Sequence, residues 1–230
     1  MLVKPFQDTA ILIFANSATK DSHIKKIGVD TSLFHALNAH TFSIVKASNL
    51  PYFHFTEKEQ YGQTFGERFT HAIQSVYDKG FANIIAIGND SPQLKTQHLL
   101  EAHSQLQLDK TVLGPAMDGG FYLLGLHQSN FHKDSFKAFP WHATSLFKTT
   151  VRYFESINCT VFSLSRLIDI DSATDIKRLS NNIKTLVDAW LVLFSKLLRQ
   201  TIRFQEIGLI VIRNIFLHIP FNKGSPLSFA

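Results

Sequence analysis

Residues Asn83 to Leu94 read Asn-Ile-Ile-Ala-Ile-Gly-Asn-Asp-Ser-Pro-Gln-Leu, and this stretch decides the fold. The apolar run over 84–87 is rich in β-branched residues, which is typical of a strand buried on both faces in a parallel sheet. Gly88 ends the run, and Pro92 cannot continue a sheet ladder. A single carboxylate, Asp90, therefore lies just beyond a predicted central strand.

Asp90 has two interpretations at this position. Ligands of open α/β sheets bind beyond the carboxyl ends of the strands, so Asp90 would face a metal ion or a phosphate group. Alternatively, it is an acidic residue of a strand-to-helix turn in which Ser91 caps the following helix. The stretch by itself leaves both interpretations open.

Strand-like and helix-like patterns alternate along the rest of the chain. Strands are predicted over 10–15, 52–55, 84–87, 111–113, 121–126 and 159–164, and helices over 31–46, 65–77, 95–106, 144–157 and from 172. This alternation predicts a three-layer α/β/α domain with a mostly parallel sheet. Residues 16–28 are expected to form a polar loop that carries Lys20, Lys25 and Lys26.

The chain changes character near residue 181. We expect one domain over residues 1–180 and a helical extension with a loose tail over 181–230. Residues 183–200 have the apolar spacing of an amphipathic helix, and 207–217 are mostly apolar. Both segments could pack on the sheet or on a second subunit, which would form a homodimer. A membrane-surface helix is the lesser alternative, supported by a basic edge of Lys196, Arg199 and Arg203.

Composition sets the broad class of the protein. The chain has 230 residues, of which 45% are apolar and 18% charged, as in globular domains with a sizeable core. The net charge of +5 is spread along the sequence, so nucleic acid is a weak inference and an anionic small substrate fits as well. The lone Cys159 excludes an internal disulfide and a cysteine zinc cluster. Neither a signal peptide nor a transmembrane segment is recognisable, so a cytoplasmic location is the default expectation.

Further acidic residues follow other predicted strands. Asp118 precedes Gly119 and Gly120, and Asp169 and Asp171 follow the last strand. Each could be a turn or cap residue, and a hairpin explains the Asp-Gly-Gly sequence. Acids distant in sequence can nevertheless converge at one edge of a parallel sheet. A divalent cation that carries a diphosphate needs only one or two of them, because phosphate and water supply the other ligands.

Four motifs occur in order: Gly88–Leu94, Gly114–Tyr122, Trp141 with Thr144, and Asp169–Asp171. Together they resemble a bacterial, glycosyltransferase-A-like family of the nucleotide-diphospho-sugar transferase superfamily. This family is similar to the guanylyltransferases that act on phospholactate or on molybdenum cofactor. The loop segment with Gly62, Gly66 and Arg68 also fits its pattern, and the resemblance extends over about residues 10 to 180.

The resemblance implies a glycosyltransferase-A fold, a nucleotide or nucleotide-sugar donor, a small-molecule acceptor and Mg²⁺ or Mn²⁺. It places Asp90 at the metal-binding acid of the superfamily and Asp171 as a second ligand. We expect Asp118 to be a catalytic residue beside the sugar or acceptor. The expected nucleotide contacts are Gly66, Arg68, Gly88, Asn89, Gly119, Gly120 and Trp141. A core position is an equal alternative for Trp141.

Two expectations concern geometry. The carboxylates of Asp90 and Asp171 should lie within reach of one cation. Asp169 should point away from them, into the structure, since it shares the side of Asp171 only if the chain stays extended.

The sequence departs from the family in its first loop and in its acid motif. Residues 16–28 do not carry the family's Pro, Gly and Lys-Thr-Arg pattern, nor the glycine-rich loop that nucleotidyltransferases use on triphosphates. Asn89-Asp90-Ser91 has one acid where many glycosyltransferases have two.

The acidic residues and the family resemblance together predict a metal-dependent transferase with a nucleotide-activated donor, in the first place a glycosyltransferase on a small or envelope-related acceptor. The alternatives are nucleotidyl transfer to a phosphorylated small acid and nucleotide binding without turnover.

Overall fold

A six-stranded sheet forms the centre of the computed structural model, which describes residues 8–25 and 31–181 together with Trp190 and Phe194. The strands are β1 (Thr9–Phe14), β2 (Tyr52–Phe55), β3 (Asn83–Ile87), β4 (Thr111–Pro115), β5 (Phe121–His127) and β6 (Val161–Ser163). Their order is β2-β1-β3-β5-β4-β6, and β5 runs antiparallel to both of its neighbours. The other pairings are parallel, so the predicted mostly parallel sheet with β3 near its centre is confirmed.

Helices cover both faces of the sheet. They are α1 (Ala18–Ile24), α2 (Ser32–Ala47), α3 (Phe65–Tyr77), α4 (Thr96–Leu106), α5 (Lys133–Lys137), α6 (Leu146–Ser156) and α7 (Ala173–Asn181), with a short 3-10 helix at Gln128–Asn130. The helices expected over 31–46, 65–77, 95–106, 144–157 and from 172 are confirmed. At the start of α7, Ser172 and Asp175 exchange hydrogen bonds between side chain and backbone, which forms a capping box.

The alternation of side chains along the strands divides the core in two. Ile84 and Ala86 of β3 face a cluster built with α3, α5 and α6. Ile85 and Ile87 of the same strand face a second cluster built with α2 and α4. Because neighbouring strand residues point to opposite faces, one short apolar run stabilises both layers. This arrangement is the predicted α/β/α domain.

The expectation of a loop over 16–28 is wrong where it concerns α1. Ser17 caps this helix, since its hydroxyl accepts a hydrogen bond from the backbone N–H of Lys20 at 3.3 Å. Ala18 and Asp21 are buried. A seven-residue helix with one apolar and one acidic buried residue has no apolar periodicity, so spacing could not reveal it.

Most of the expected C-terminal extension lies outside the described residues, including the predicted segments 183–200 and 207–217 and any dimer contact they would make. Trp190 and Phe194 are described and buried, with ring centroids 5.4 Å apart. They share a cluster with residues of α2 and α7, and Trp190 lies edge-on to His40. These two side chains therefore pack on their own chain. Among the described residues, no helix is both long and apolar enough to cross a bilayer.

The turn between β4 and β5 is fixed by a close contact at Gly119. This residue has φ +97°, and a Cβ atom added to it would lie 2.0 Å from the carbonyl oxygen of Thr144. The carbonyl of Gly119 also accepts a hydrogen bond from the backbone N–H of Phe147 at 2.8 Å. The turn is thereby held against the start of α6.

We expect Gly119→Ala to lower the free energy of unfolding by about 2–5 kcal/mol, because the left-handed backbone penalty adds to a steric overlap. Gly80→Ala is the matched control, since Gly80 has φ +93° but nothing within 4 Å of the added Cβ. It should lose only the backbone part, about 1–2 kcal/mol. Urea unfolding of both variants measures the difference, and equal losses would contradict the close contact.

Candidate active site

A cavity of about 570 Å³ opens at the carboxyl edge of the sheet. Its size is that of a pocket for a small molecule. Of the residues expected to form the site, it is lined by Arg68, Gly88, Asn89, Asp90, Asp118, Gly120, Trp141 and Asp171. Gly66 and Gly119 are not among its lining residues. Gly66 lies in the first turn of α3 against Lys137 and Trp141, and Gly119 lies against Thr144.

Asp90 and Asp171 converge on one cationic group, the ammonium of Lys25. Lys25 Nζ lies 2.9 Å from Asp90 Oδ2 and 2.8 Å from Asp171 Oδ1. It also donates a hydrogen bond to the carbonyl oxygen of Ile170 at 3.0 Å. The two carboxylates are therefore close enough for one cation to bridge them, as expected, but in this structure that cation is a lysine.

The charge state of Lys25 follows from these contacts. Burial alone would lower the pKa of its ammonium, but the two carboxylates outweigh this effect and raise the pKa above its ordinary value. Lys25 is therefore fully charged at neutral pH and balances one of the two acids.

The segment that carries Asp171 is tied to the loop after β3. The backbone N–H of Ile170 donates to the carbonyl oxygen of Asp90 at 2.9 Å. The backbone N–H of Ile168 donates to Gln93 Oε1 at 3.0 Å. These bonds, rather than a regular strand, determine where Asp171 lies.

Asp169 lines the same cavity, so the expectation that it points away is wrong. Its carboxylate accepts a hydrogen bond from the hydroxyl of Ser91. Burial raises the pKa of this carboxyl well above its usual range, and the negative charges of Asp90, Asp118 and Asp171 raise it further. Residues 168–170 form no strand, so strand alternation does not set the direction of this side chain. The bond from Ser91 directs the Asp169 carboxylate instead.

Asp21 is a site residue that the sequence analysis missed. It lines the cavity from α1, is buried, and accepts hydrogen bonds from Asn16 Nδ2 at 2.9 Å and Asn89 Nδ2 at 3.0 Å. Asn89 also donates to Asn38 Oδ1 at 2.6 Å. The amide of Asn89 therefore joins α1 and α2 to the end of β3. In the sequence, Asp21 could have been found as an acid one turn after Ser17, a serine that can cap a helix.

Asp118 reaches the cavity from the β4–β5 turn. One of its carboxylate oxygens accepts the backbone N–H of Gly120 at 2.9 Å, which fixes the side chain within the turn. The residue is exposed. Its position beside the cavity leaves the carboxylate accessible to a bound molecule.

An aromatic wall around Trp141 also lines the cavity. Trp141 packs against Phe65, Phe69, Phe121 and Phe139 at centroid distances of 5.2–5.9 Å. Its indole N–H donates to the carbonyl oxygen of Phe136 at 2.8 Å. Trp141 is thus anchored in the core and also lines the cavity. The core position and the cavity position that were the two alternatives for this residue both apply.

The turn between β1 and α1 is occupied by an acid. The carboxylate of Glu57 accepts hydrogen bonds from the backbone N–H and from the hydroxyl of Ser17, both at 2.7 Å. These bonds lower the pKa of Glu57, with the backbone bond as the largest cause. A carboxylate therefore occupies the backbone N–H at the turn that follows the first strand.

Sequence comparison identifies the family of the chain. A family described as "Uncharacterized protein conserved in bacteria (DUF2064)" matches residues 27–143. The chain belongs to the DUF2064 family. The match includes the loop after β3, the β4–β5 turn and Trp141, which belong to three of the four sequence motifs. A search of curated proteins gave no match.

Structure comparison places this DUF2064 member among nucleotide-diphospho-sugar transferase folds. A crystal structure of a proposed nucleotide-diphospho-sugar transferase from Desulfovibrio desulfuricans G20 has a TM-score of 0.68 and 22% identity, covering 85% of this chain and 98% of that one. Two more distant structures each have a TM-score of 0.41 and cover 74% of this chain and 96% of the other. One is CMP:2-keto-3-deoxy-manno-octonic acid synthetase with CTP, at 9% identity, and the other is Mycobacterium tuberculosis H37Rv Rv0371c with manganese, at 13%. The first similarity establishes the fold.

Two carboxylates in the cavity of this DUF2064 member have the donor chemistry that a hard divalent cation requires. Within the described ranges, no group of three or more His, Cys, Asp or Glu side chains could hold a metal ion. Asp90 and Asp171 nevertheless supply two carboxylates, which are ligands that Mg²⁺ and Mn²⁺ accept when phosphates and water complete the shell. The donor chemistry therefore fits, provided that Lys25 moves away.

We expect Asp169→Asn to stabilise the metal-free protein at high pH. A raised native pKa means that the native state binds more protons than the unfolded state above about pH 4, so the wild type loses stability as pH rises. The variant keeps an oxygen that can accept the Ser91 bond but has no buried charge. Its melting temperature in EDTA should match the wild type near pH 4 and exceed it at pH 8.

Thermal denaturation at both pH values tests this expectation, with about 2–4 °C for each kcal/mol gained. Asp134→Asn is the control, because the Asp134 side chain is fully exposed and its loss removes no buried charge. A melting temperature of Asp169→Asn that tracks the wild type at both pH values would refute the assignment.

Proposed function

We propose that this protein is a transferase that binds a nucleotide sugar and passes the sugar to a small acceptor, such as an envelope precursor. The observation that carries the proposal is the convergence of Asp90 and Asp171 on one cation at the open carboxyl edge of the sheet. In this fold class ligands bind at that edge, and an acid pair there suits a metal-bound diphosphate.

The walls of the cavity support a nucleotide-sugar donor. Trp141 and Phe121 present aromatic surface on which a base or a sugar ring can stack. Arg68 lines the same cavity and supplies a positive charge for phosphate. The volume of about 570 Å³ is in the range of small-ligand pockets.

Asp90 and Asp171 would hold Mg²⁺ or Mn²⁺. When bound, the ion would neutralise the charge that develops on the leaving diphosphate. The chain itself would position the donor through the aromatic wall and Arg68.

Asp118 is the residue that we assign to proton transfer. Its carboxylate is accessible and is fixed by the bond from Gly120. A carboxylate held beside the donor can accept the proton of an acceptor hydroxyl as that oxygen attacks the sugar carbon. This role completes a site with separate groups for the diphosphate, the rings and the acceptor.

The Ser17–Glu57 contact favours sugar transfer over nucleotidyl transfer. A nucleotidyltransferase must bind a triphosphate, and loops after the first strand do so with free backbone N–H groups. Here the N–H of Ser17 is already bonded to a carboxylate, whose negative charge would repel phosphate. The diphosphate of a nucleotide sugar can instead be bound at the acid pair through a metal ion.

We expect a nucleotide sugar to raise the melting temperature of the wild type in the presence of Mn²⁺ and much less in its absence. At one hundred times its dissociation constant a ligand adds about 2.7 kcal/mol to the free energy of unfolding. Asp90→Ala should lose the Mn²⁺-dependent part, because the ion loses a carboxylate ligand. A thermal-shift screen of nucleoside diphosphates and nucleotide sugars provides the measurement.

Asp118→Asn is the matched variant, since this residue lines the same cavity without contacting Lys25. It should bind the selected donor like the wild type and release nucleoside diphosphate about 10²–10⁴ times more slowly. An undiminished Mn²⁺-dependent shift in Asp90→Ala would show that Asp90 is a turn residue and would refute the proposal.

A further inference from the structure

The ammonium of Lys25 makes a complete set of contacts with the acid pair. An ammonium group has three hydrogens to donate. The three oxygens around Nζ are Asp90 Oδ2 at 2.9 Å, Asp171 Oδ1 at 2.8 Å and the carbonyl oxygen of Ile170 at 3.0 Å. Each hydrogen therefore has one oxygen partner, and the Lys25 side chain is only 20% exposed.

The same oxygens suit a divalent cation. Two carboxylates and a backbone carbonyl are ligands of hard ions such as Mg²⁺ and Mn²⁺, which bind oxygen at about 2.0–2.6 Å. Lys25 Nζ lies in the space between these oxygens, at slightly longer distances. The site can hold the ammonium or the metal ion, but not both.

Lys25 is placed to occupy this position by its location at the end of α1. Its backbone N–H bonds the carbonyl of Asp21 at 2.8 Å, so the main chain is fixed to the helix while the side chain extends to the acids. Without a cation between them, the carboxylates of Asp90 and Asp171 would repel each other.

We propose that Lys25 is a resident cation, which holds Asp90 and Asp171 together in the metal-free protein and must leave before a divalent ion binds. This inference rests on the proposed function in taking the acid pair as the metal site. It adds that this chain weakens its own metal affinity through Lys25, so that metal binding is coupled to movement of the end of α1.

The test is Mn²⁺ binding to nucleotide-free protein, measured by the electron paramagnetic resonance of free Mn²⁺ and by calorimetry. Lys25→Met removes the charge and keeps an unbranched side chain. We expect it to bind one Mn²⁺ at least about tenfold more tightly than the wild type, since competition and charge repulsion are both removed. Affinity equal to or lower than that of the wild type would overturn the inference.

Two further variants define the cause. Lys20→Met removes a lysine charge from an exposed position of the same helix and should bind Mn²⁺ like the wild type. Asp90→Asn combined with Lys25→Met should lose the gain in affinity. A gain that persists in this double variant, or that also occurs in Lys20→Met, would show that the acid pair is not where Lys25 and Mn²⁺ compete.

The folding of Lys25→Met gives an independent readout. In EDTA its melting temperature should be lower than that of the wild type, and Mn²⁺ should raise it by more than it raises the wild type. A Mn²⁺ shift no larger than that of the wild type would overturn the inference. Because no nucleotide is present, these results stand or fall separately from any failure to find a nucleotide-sugar donor.

Discussion

The contact of one ammonium with two carboxylates determines the geometry of the candidate site. Lys25 comes from the end of α1, Asp90 from the loop after β3 and Asp171 from the segment that leads into α7. Without this contact, the negative charges of Asp90 and Asp171 would be uncompensated at the sheet edge. The backbone bond from Ile170 to the carbonyl of Asp90 reinforces the same junction. Charge balance and backbone hydrogen bonding therefore act together to hold the acids in one place.

The sheet topology supplies the remaining groups. The strands β1, β3 and β4 run in one direction, and β5 runs back between β3 and β4. The turn from β4 to β5 consequently lies at the same edge as Asp90, and Asp118 arrives there through the chain reversal. The contact of Gly119 with Thr144 holds that turn against the segment that follows Trp141. The antiparallel strand thus helps to bring an acid and an aromatic wall to one cavity.

Much of this arrangement could be predicted from the sequence. Apolar runs located the strands because buried parallel strands leave a continuous signal, and the position of Asp90 followed from the end of one such run. The convergence of Asp171 with Asp90 could be expected from the shared edge. The direction of the Asp169 side chain could not be predicted in this way. The chain around it is held by individual bonds to Ser91 and Gln93 rather than by strand geometry.

The role of Lys25 lay beyond sequence reasoning. Its ammonium meets an acid 65 residues away, across a short polar helix that has no apolar periodicity. A lysine in a polar segment ordinarily indicates a solvated side chain. Only the fold shows that the charge of Lys25 lies between two carboxylates. The same holds for Glu57, whose bond to Ser17 spans 40 residues. Contacts of this kind depend on tertiary structure and leave no local pattern.

Anomalous diffraction from crystals soaked with Mn²⁺ and a nucleoside diphosphate tests the central claim most directly. We expect a manganese peak within about 2.0–2.6 Å of carboxylate oxygens of both Asp90 and Asp171, with Lys25 Nζ displaced from its present position. The diphosphate should contact the same ion. A manganese ion bound elsewhere, with Lys25 still between the two carboxylates, would contradict it.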